Sequence, residues 1–329
     1  MSDWTIHGGA LSSAQRAFPQ APSPWLDLST GINPQTWPGV THIEIDWHRL
    51  PDDDLLSALE AAAALYFGAS SGSVCALPGT EFGLRSLRHL GLPAPFRHVA
   101  PGYGTHGEAF PDSRPISSDS LRQEAAKGGT ILLANPANPD GCLTKAGDLL
   151  AIADVAARFG GWLIVDEAFI DAHEDASIVP TLTDGKPVIV LRSFGKFFGL
   201  AGVRLGFAVA PPAIIMAWRA AIGCWPLSAA AIAIGTAAYS DVRWIDQMRA
   251  QLQERADALD RILREHGLEP MGASPLFRLV EGDAAKVFDR LAHRGILTRP
   301  FEYAPRWLRF GVPANDADLS RLDEALADG

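Results

Sequence analysis

The sequence predicts an α/β fold, with a large domain whose mostly parallel sheet is covered by helices and a smaller α+β domain at the C-terminus. Three observations carry this. Short apolar runs that read as buried strands alternate with amphipathic stretches through the middle of the chain, the pattern of helices laid over a parallel sheet. Beyond Pro211-Pro212 the pattern turns helical and then mixed, which marks a second domain. The 329 residues, 47% hydrophobic and 20% charged, have ordinary globular composition and enough length for two packed cores.

In chain order, Pro78-Gly79-Thr80-Glu81 precedes a helical stretch over 82–90. Backbone N–H groups at such a helix start are suited either to a plain cap or to an anionic ligand. Thr130-Ile-Leu-Leu-Ala134 reads as a strand running into Asn135-Pro-Ala-Asn138-Pro-Asp-Gly141, where two X-Pro pairs force extended backbone and a glycine closes the turn. Trp162-Leu-Ile-Val165 is a strand ending at Asp166, Val188-Ile-Val-Leu191 one ending at Arg192 and Ser193, and Leu205-Gly-Phe-Ala-Val209 follows Arg204. Ligands of open α/β sheets bind at the carboxyl ends of the strands, so these polar residues are expected to converge. Residues 247–264 carry Leu252, Ala256, Leu259 and Leu263 at helical spacing. Leu276-Phe-Arg-Leu-Val280 and Trp307-Leu-Arg-Phe310 read as strands, with a helix over 283–294 between them.

Composition excludes several classes. With Lys+Arg at 28 against Asp+Glu at 38 the net charge is −10, and no basic run tracks a phosphate backbone, so no nucleic-acid partner is expected. Cys75, Cys142 and Cys224 are odd in number and widely spaced, which suggests neither a disulfide framework nor a metal site and fits a reducing cytoplasm. The N-terminus lacks the basic and apolar regions of a signal peptide. Residues 220–240 are uncharged and near the roughly 20 residues a bilayer needs. Their Ala, Gly and Ser content and Pro226 predict a buried helix instead, and no membrane partner.

The most informative segment is Ser193-Phe-Gly-Lys196-Phe-Phe-Gly-Leu-Ala-Gly-Val-Arg204-Leu-Gly206, which places a hydroxyl, a lysine and an arginine between two apolar strands. Burial and neighbouring positive charge turn a lysine into a nucleophile that condenses with an aldehyde, while Ser193 and Arg204 could hold a phosphate. A nucleotide P-loop fails here, because Val190 and Phe197 stand where glycine and Ser/Thr are required. Asp166 could cap the following helix, or pair with a pyridine nitrogen and keep it protonated.

Together these segments resemble the aspartate-aminotransferase superfamily of pyridoxal 5'-phosphate (PLP) enzymes, over roughly 79–311. The resemblance implies that fold and PLP as cofactor, with Lys196 forming the Schiff base, Asp166 on the ring nitrogen and Asn138 on the ring oxygen. It assigns the cofactor phosphate to Thr80 with the Gly79–Glu81 backbone, to Ser193 and to Arg204, and the substrate carboxylate to Arg309. His106, ending Pro101-Gly-Tyr103-Gly-Thr-His106, falls where an aromatic residue stacks on the ring. Phe169 replaces the usual tyrosine of the Asp166 motif, and Leu50 the tyrosine a partner subunit usually sends to the phosphate.

His7-Gly-Gly9, Leu28-Ser-Thr-Gly-Ile-Asn33-Pro34, Asp166-Glu-Ala-Phe-Ile-Asp171 and Leu297-Thr-Arg299-Pro300 are similar to the cobalamin-pathway branch that decarboxylates L-threonine O-3-phosphate. That likeness implies a small phosphorylated amino acid as substrate, with His7 and Arg299 meeting its phosphate, and a homodimer. Lys196, Asp166 and His106 are the catalytic candidates. The alternatives are an aminotransferase of the histidinol-phosphate type and, more remotely, a non-catalytic PLP-binding sensor. The expected division is an N-terminal segment 1–35 near the site, a large PLP-binding domain 36–215 and a small domain 216–329.

Overall fold

The computed structural model describes residues 4, 8–173, 175–183 and 185–327. They form two compact units, one of residues 36–138 and 143–245, the other of residues 1–35, 139–142 and 246–329. The strands in chain order are β1 (Leu26–Asp27), β2 (Val74–Leu77), β3 (Phe96–Val99), β4 (Arg114–Ile116), β5 (Thr130–Ala134), β6 (Trp162–Asp166), β7 (Val188–Ser193) and β8 (Gly206–Val209). β9 (Pro270–Met271), β10 (Phe277–Glu281), β11 (Ile296–Leu297), β12 (Arg299–Phe301) and β13 (Ala304–Gly311) follow.

The large unit is built on a seven-stranded sheet in the order β2-β8-β7-β6-β5-β3-β4. The strands from β7 to β4 run parallel, and β8 is antiparallel to both of its neighbours. Strands covered on both faces read as continuous apolar runs. Leu163, Ile164 and Val165 of β6 and Ile189, Val190 and Leu191 of β7 are accordingly inaccessible to solvent. The helix Ala146–Arg158 buries Leu149, Ile152, Ala153 and Ala156, one face at helical spacing. The helix Asp53–Phe67 starts at Asp52, whose side chain accepts from Leu55 N, and stops at Gly68 in the left-handed region.

The unit boundary falls at residue 245, beyond the expected 215, because the helix Ala229–Ser240 belongs to the large core. It packs on Asp53–Phe67, and its Tyr239 is buried edge-on against Phe67, Phe194, Phe198 and Phe207. The uncharged stretch 220–240 is interrupted, since one helix ends at Ile222 and the next begins at Ala229. Among the described residues no helix is long and apolar enough to cross a membrane.

The smaller unit holds an antiparallel sheet in the order β12-β13-β10-β9 and the parallel pair β1-β11. Residues 1–35, expected as a separate segment, group with it. The reason is backbone pairing, for Leu26 N bonds Gly295 O at 2.8 Å, Leu28 N bonds Leu297 O at 2.7 Å, and Gly311 N bonds Leu28 O at 2.6 Å. Trp4 also stacks on Phe288, with ring centroids 5.9 Å apart.

Gly235 shows how tightly the large core is closed. A Cβ there would lie 2.5 Å from Leu205 Cδ2 and 2.8 Å from Leu59 Cδ1. Gly235→Val is expected to destabilise by about 1–3 kcal/mol through overpacking, measured by urea denaturation, with the secondary structure unchanged.

Candidate active site

Asp166 ends β6 and is buried. Its Oδ1 accepts from Ala168 N at 3.2 Å, and its Oδ2 lies 2.9 Å from His106 Nε2. An ionised Asp166 can only accept, so the proton sits on Nε2. His106, expected to stack on the cofactor ring, thus engages Asp166 through its edge. The short helix Gly104–Glu108 that carries it is fastened by Glu81, which accepts from Tyr103 Oη at 3.0 Å, from Thr105 Oγ1 and from Arg85 Nε at 2.9 Å. Burial opposes ionisation of Glu81, but these donors hold its carboxyl below the usual range. The Glu81, Tyr103 and Thr105 network was not anticipated from sequence. Its sequence signal is a hydroxyl at two of the four positions from 103 to 106.

The next residues come from the reversal of β8. Gly206, its first residue, pairs with Leu77 at the end of β2 and with Ser193 at the end of β7. A Cβ on Gly206 would lie 2.7 Å from Thr80 N and 2.9 Å from Gly79 C, so only glycine allows that loop to settle against β8. Gly79 has a φ of +90°, and a Cβ on it would lie 3.0 Å from Arg204 Nη2. Arg204 itself adopts a left-handed φ of 58°, a conformation rare for a residue with a side chain and frequent at functional sites. Gly79, Thr80, Ser193 and Arg204 are therefore neighbours around one backbone crossing. Lys196 follows Ser193 in the turn Phe194–Phe197, half-buried, with Nζ 5.7 Å from the centroid of the Phe169 ring.

Asn135 and Asn138 divide their work. Asn135 accepts from Thr144 N at 2.8 Å and donates to Thr144 O at 3.0 Å, closing the loop. Asn138 stands half-buried beyond the end of β5.

Below these residues lies a buried charge cluster. Arg192 donates to Glu167 Oε2 at 3.2 Å and to Asp171, and its guanidinium sits 4.3 Å from the Phe67 ring centroid. Burial disfavours the cation, yet Asp171 and Glu167 keep Arg192 protonated far above the physiological range. The acidic residues of Asp166-Glu-Ala-Phe-Ile-Asp171 thus have separate tasks, Asp166 facing His106 while Glu167 and Asp171 clamp the residue before Ser193.

In the smaller unit Arg299 and Arg309 face each other across the β12-β13 ladder. Arg309 is buried and donates from Nη2 to Ser29 O at 3.0 Å. Burial, and next the charge of Arg299, push the Arg309 guanidinium down to about 9. The two like charges thus occupy paired positions of one ladder, Arg309 buried and Arg299 half-buried. His7 lies outside the described residues, and Leu50 is exposed.

The sequence matches the family described as "Aminotransferase class I and II" over residues 116–326. The chain belongs to that family. It is 38% identical to a threonine-phosphate decarboxylase of Pseudomonas aeruginosa over 97% of this chain and 96% of that protein. It is 39% identical to a threonine-phosphate decarboxylase of a Sinorhizobium species over 99% of each. In fold it resembles histidinol-phosphate aminotransferase from Sinorhizobium meliloti in complex with pyridoxal 5'-phosphate, with a TM-score of 0.78, 23% identity, and coverage of 96% of this chain and 93% of that one.

This family of enzymes depends on PLP, and the large unit fits such a group. Gly79 leaves a space beside Arg204 that a side chain would fill, Asp166 offers a buried carboxylate, and Lys196 follows β7 as the one lysine of that segment.

Arg192→Leu is expected to cost about 3–5 kcal/mol, since it leaves two carboxylates buried without their counter-charge. Equilibrium unfolding measures this, and a loss under 1 kcal/mol would show that the clamp is not a stability element.

Proposed function

We propose that this protein is a PLP-dependent decarboxylase of L-threonine O-3-phosphate, releasing CO2 and 1-amino-2-propanol phosphate as a step of cobalamin biosynthesis. The observation that carries this is the Arg299 and Arg309 pair, two cations on facing register positions, suited to a small substrate with two anionic groups. The near full-length likeness to two threonine-phosphate decarboxylases supports it.

We assign the residues by the resemblance of their motifs to the family, which the neighbouring placement of Gly79, Thr80, Ser193 and Arg204 supports. Gly79, Thr80, the backbone of Glu81, Ser193 and Arg204 hold the cofactor phosphate, Asn138 donates to the ring oxygen, and Lys196 binds the aldehyde carbon. When bound, the cofactor supplies the electron sink that takes up the electron pair as the bond from Cα to the carboxylate breaks. Asp166 keeps the ring nitrogen protonated, and His106 fixes which oxygen Asp166 presents. Arg309 binds the substrate carboxylate, while Arg299 and His7 bind its phosphate. After CO2 leaves, the Lys196 ammonium returns a proton to Cα, which balances the reaction without any oxidant. We further assign the protein to the cytoplasm and to a homodimer. The free Cys75, Cys142 and Cys224 suit the former, and sedimentation equilibrium tests the latter.

Asp166→Asn removes the charge that holds the ring nitrogen and leaves the phosphate cradle intact. It is expected to retain the visible absorption of the holoenzyme and to lose on the order of 10² or more in turnover. Near-normal turnover would mean that another group serves the ring nitrogen.

The test of the function itself is product analysis of the holoenzyme with L-threonine O-3-phosphate, with and without a 2-oxo acid. CO2 and the amino alcohol phosphate are expected without the oxo acid, whereas activity only in its presence assigns an aminotransferase. Arg299→Ala should depress kcat/KM for the phosphorylated substrate while sparing residual activity on threonine, and Arg309→Ala should depress both. Charge-assisted contacts worth roughly 1.5–3 kcal/mol correspond to factors of about 10–150. Equal losses on both substrates in Arg299→Ala would remove Arg299 from the phosphate site.

A further inference from the structure

Ser29 has no solvent exposure, yet every polar group it carries is engaged. Its N–H and its hydroxyl both donate to Asp27 Oδ1, at 2.9 and 2.6 Å. Because a carboxylate only accepts, this bond fixes the direction of the hydroxyl and turns a lone pair outward. That lone pair accepts the Gly9 N–H at 2.8 Å. The Ser29 carbonyl in turn accepts Arg309 Nη2 at 3.0 Å. The approach is close from both sides, for a Cβ on Gly8 would lie 2.3 Å from Ser29 O, and one on Gly311 would lie 2.4 Å from Thr30 O. Glycine at 8 and at 311 is what lets three backbone segments meet at this turn.

We propose that Ser29 is a positioning residue for the anion site, setting the Arg309 guanidinium through its carbonyl and the N-terminal segment at Gly8-Gly9 through its hydroxyl, so that one turn governs how tightly the anionic substrate is held. The proposal rests on the assignment of Arg309 to the substrate carboxylate. The hydroxyl is the part a side-chain change can remove. In Ser29→Ala the carbonyl and the N–H bond to Asp27 remain, but the hydroxyl's bonds to Asp27 and Gly9 are lost, so the turn loosens under Arg309. Asp27→Asn keeps an acceptor oxygen in place and is the conservative variant, while Asp27→Ala releases the same hydroxyl without touching residue 29.

Two measurements on the holoenzyme decide it. Hydrogen exchange followed by mass spectrometry needs no substrate. The peptide containing Gly9 should exchange at least several-fold faster in Ser29→Ala and Asp27→Ala than in the parent, and at the parent rate in Asp27→Asn. Steady-state kinetics with L-threonine O-3-phosphate should show KM raised about three- to tenfold in the first two variants with kcat within about twofold, the size of one lost neutral hydrogen bond. Unchanged exchange at Gly9 in both alanine variants overturns the proposal, and so does a fall in kcat with KM unchanged. If Ser29→Ala does not fold, Asp27→Ala carries both readings. If the parent does not decarboxylate threonine phosphate, the functional assignment fails and the exchange result alone decides the role of Ser29.

Discussion

The candidate site of the large unit depends on one strand running the wrong way. β8 lies antiparallel between β2 and β7, which are parallel to each other and to the rest of the sheet. Its first residue therefore enters at the same edge where β2 and β7 end. The loop after Lys196 can then return directly to that edge and bring Arg204 beside Gly79. The condition is steric, because Gly206 must pass under Thr80 with no room for a side chain. Were β8 parallel, its connection would need a crossover of a dozen or more residues, and Arg204 would start from the opposite edge.

Within each unit the charges are treated differently. In the core Arg192 donates to both Glu167 and Asp171, and Glu81 is satisfied by three donors. These are structural arrangements, in which burying charge is offset by near-complete pairing. In the smaller unit two arginines occupy paired positions of the β12-β13 ladder. Arg309 is buried beside a like charge, and both effects lower its hold on its proton. An incoming anion would reverse the sign of that interaction, which is why the proposed function assigns the substrate's anionic groups to this pair.

Much of this was legible from local pattern. The runs 130–134, 162–165 and 188–191 are continuous and apolar because their strands are covered on both faces, and they lead into Asn135, Asp166 and Arg192-Ser193. The stretch 220–240 was harder to place. It is apolar without periodicity, and periodicity is the signal that tells an outer helix from one belonging to the neighbouring core. Its assignment to the large unit rests on Tyr239 fitting among Phe67, Phe194, Phe198 and Phe207, residues far apart in the chain. The grouping of residues 1–35 with the C-terminal unit was equally hidden, since a two-residue strand such as β1 leaves almost no local signature.

The sequence by itself determined the fold class, through strand periodicity, and the family, through the resemblance of its motifs, and it singled out candidate reactive groups, because all of these are properties of short segments. Only the tertiary structure decided their partners. That His106 meets Asp166 through its edge, that Glu167 and Asp171 belong to Arg192, and that Ser29 lies under Arg309 are contacts across 20 to 280 positions of chain. Such contacts arise from sheet order, strand register and the few positions where glycine lets backbones touch, and none of these is written in any one segment.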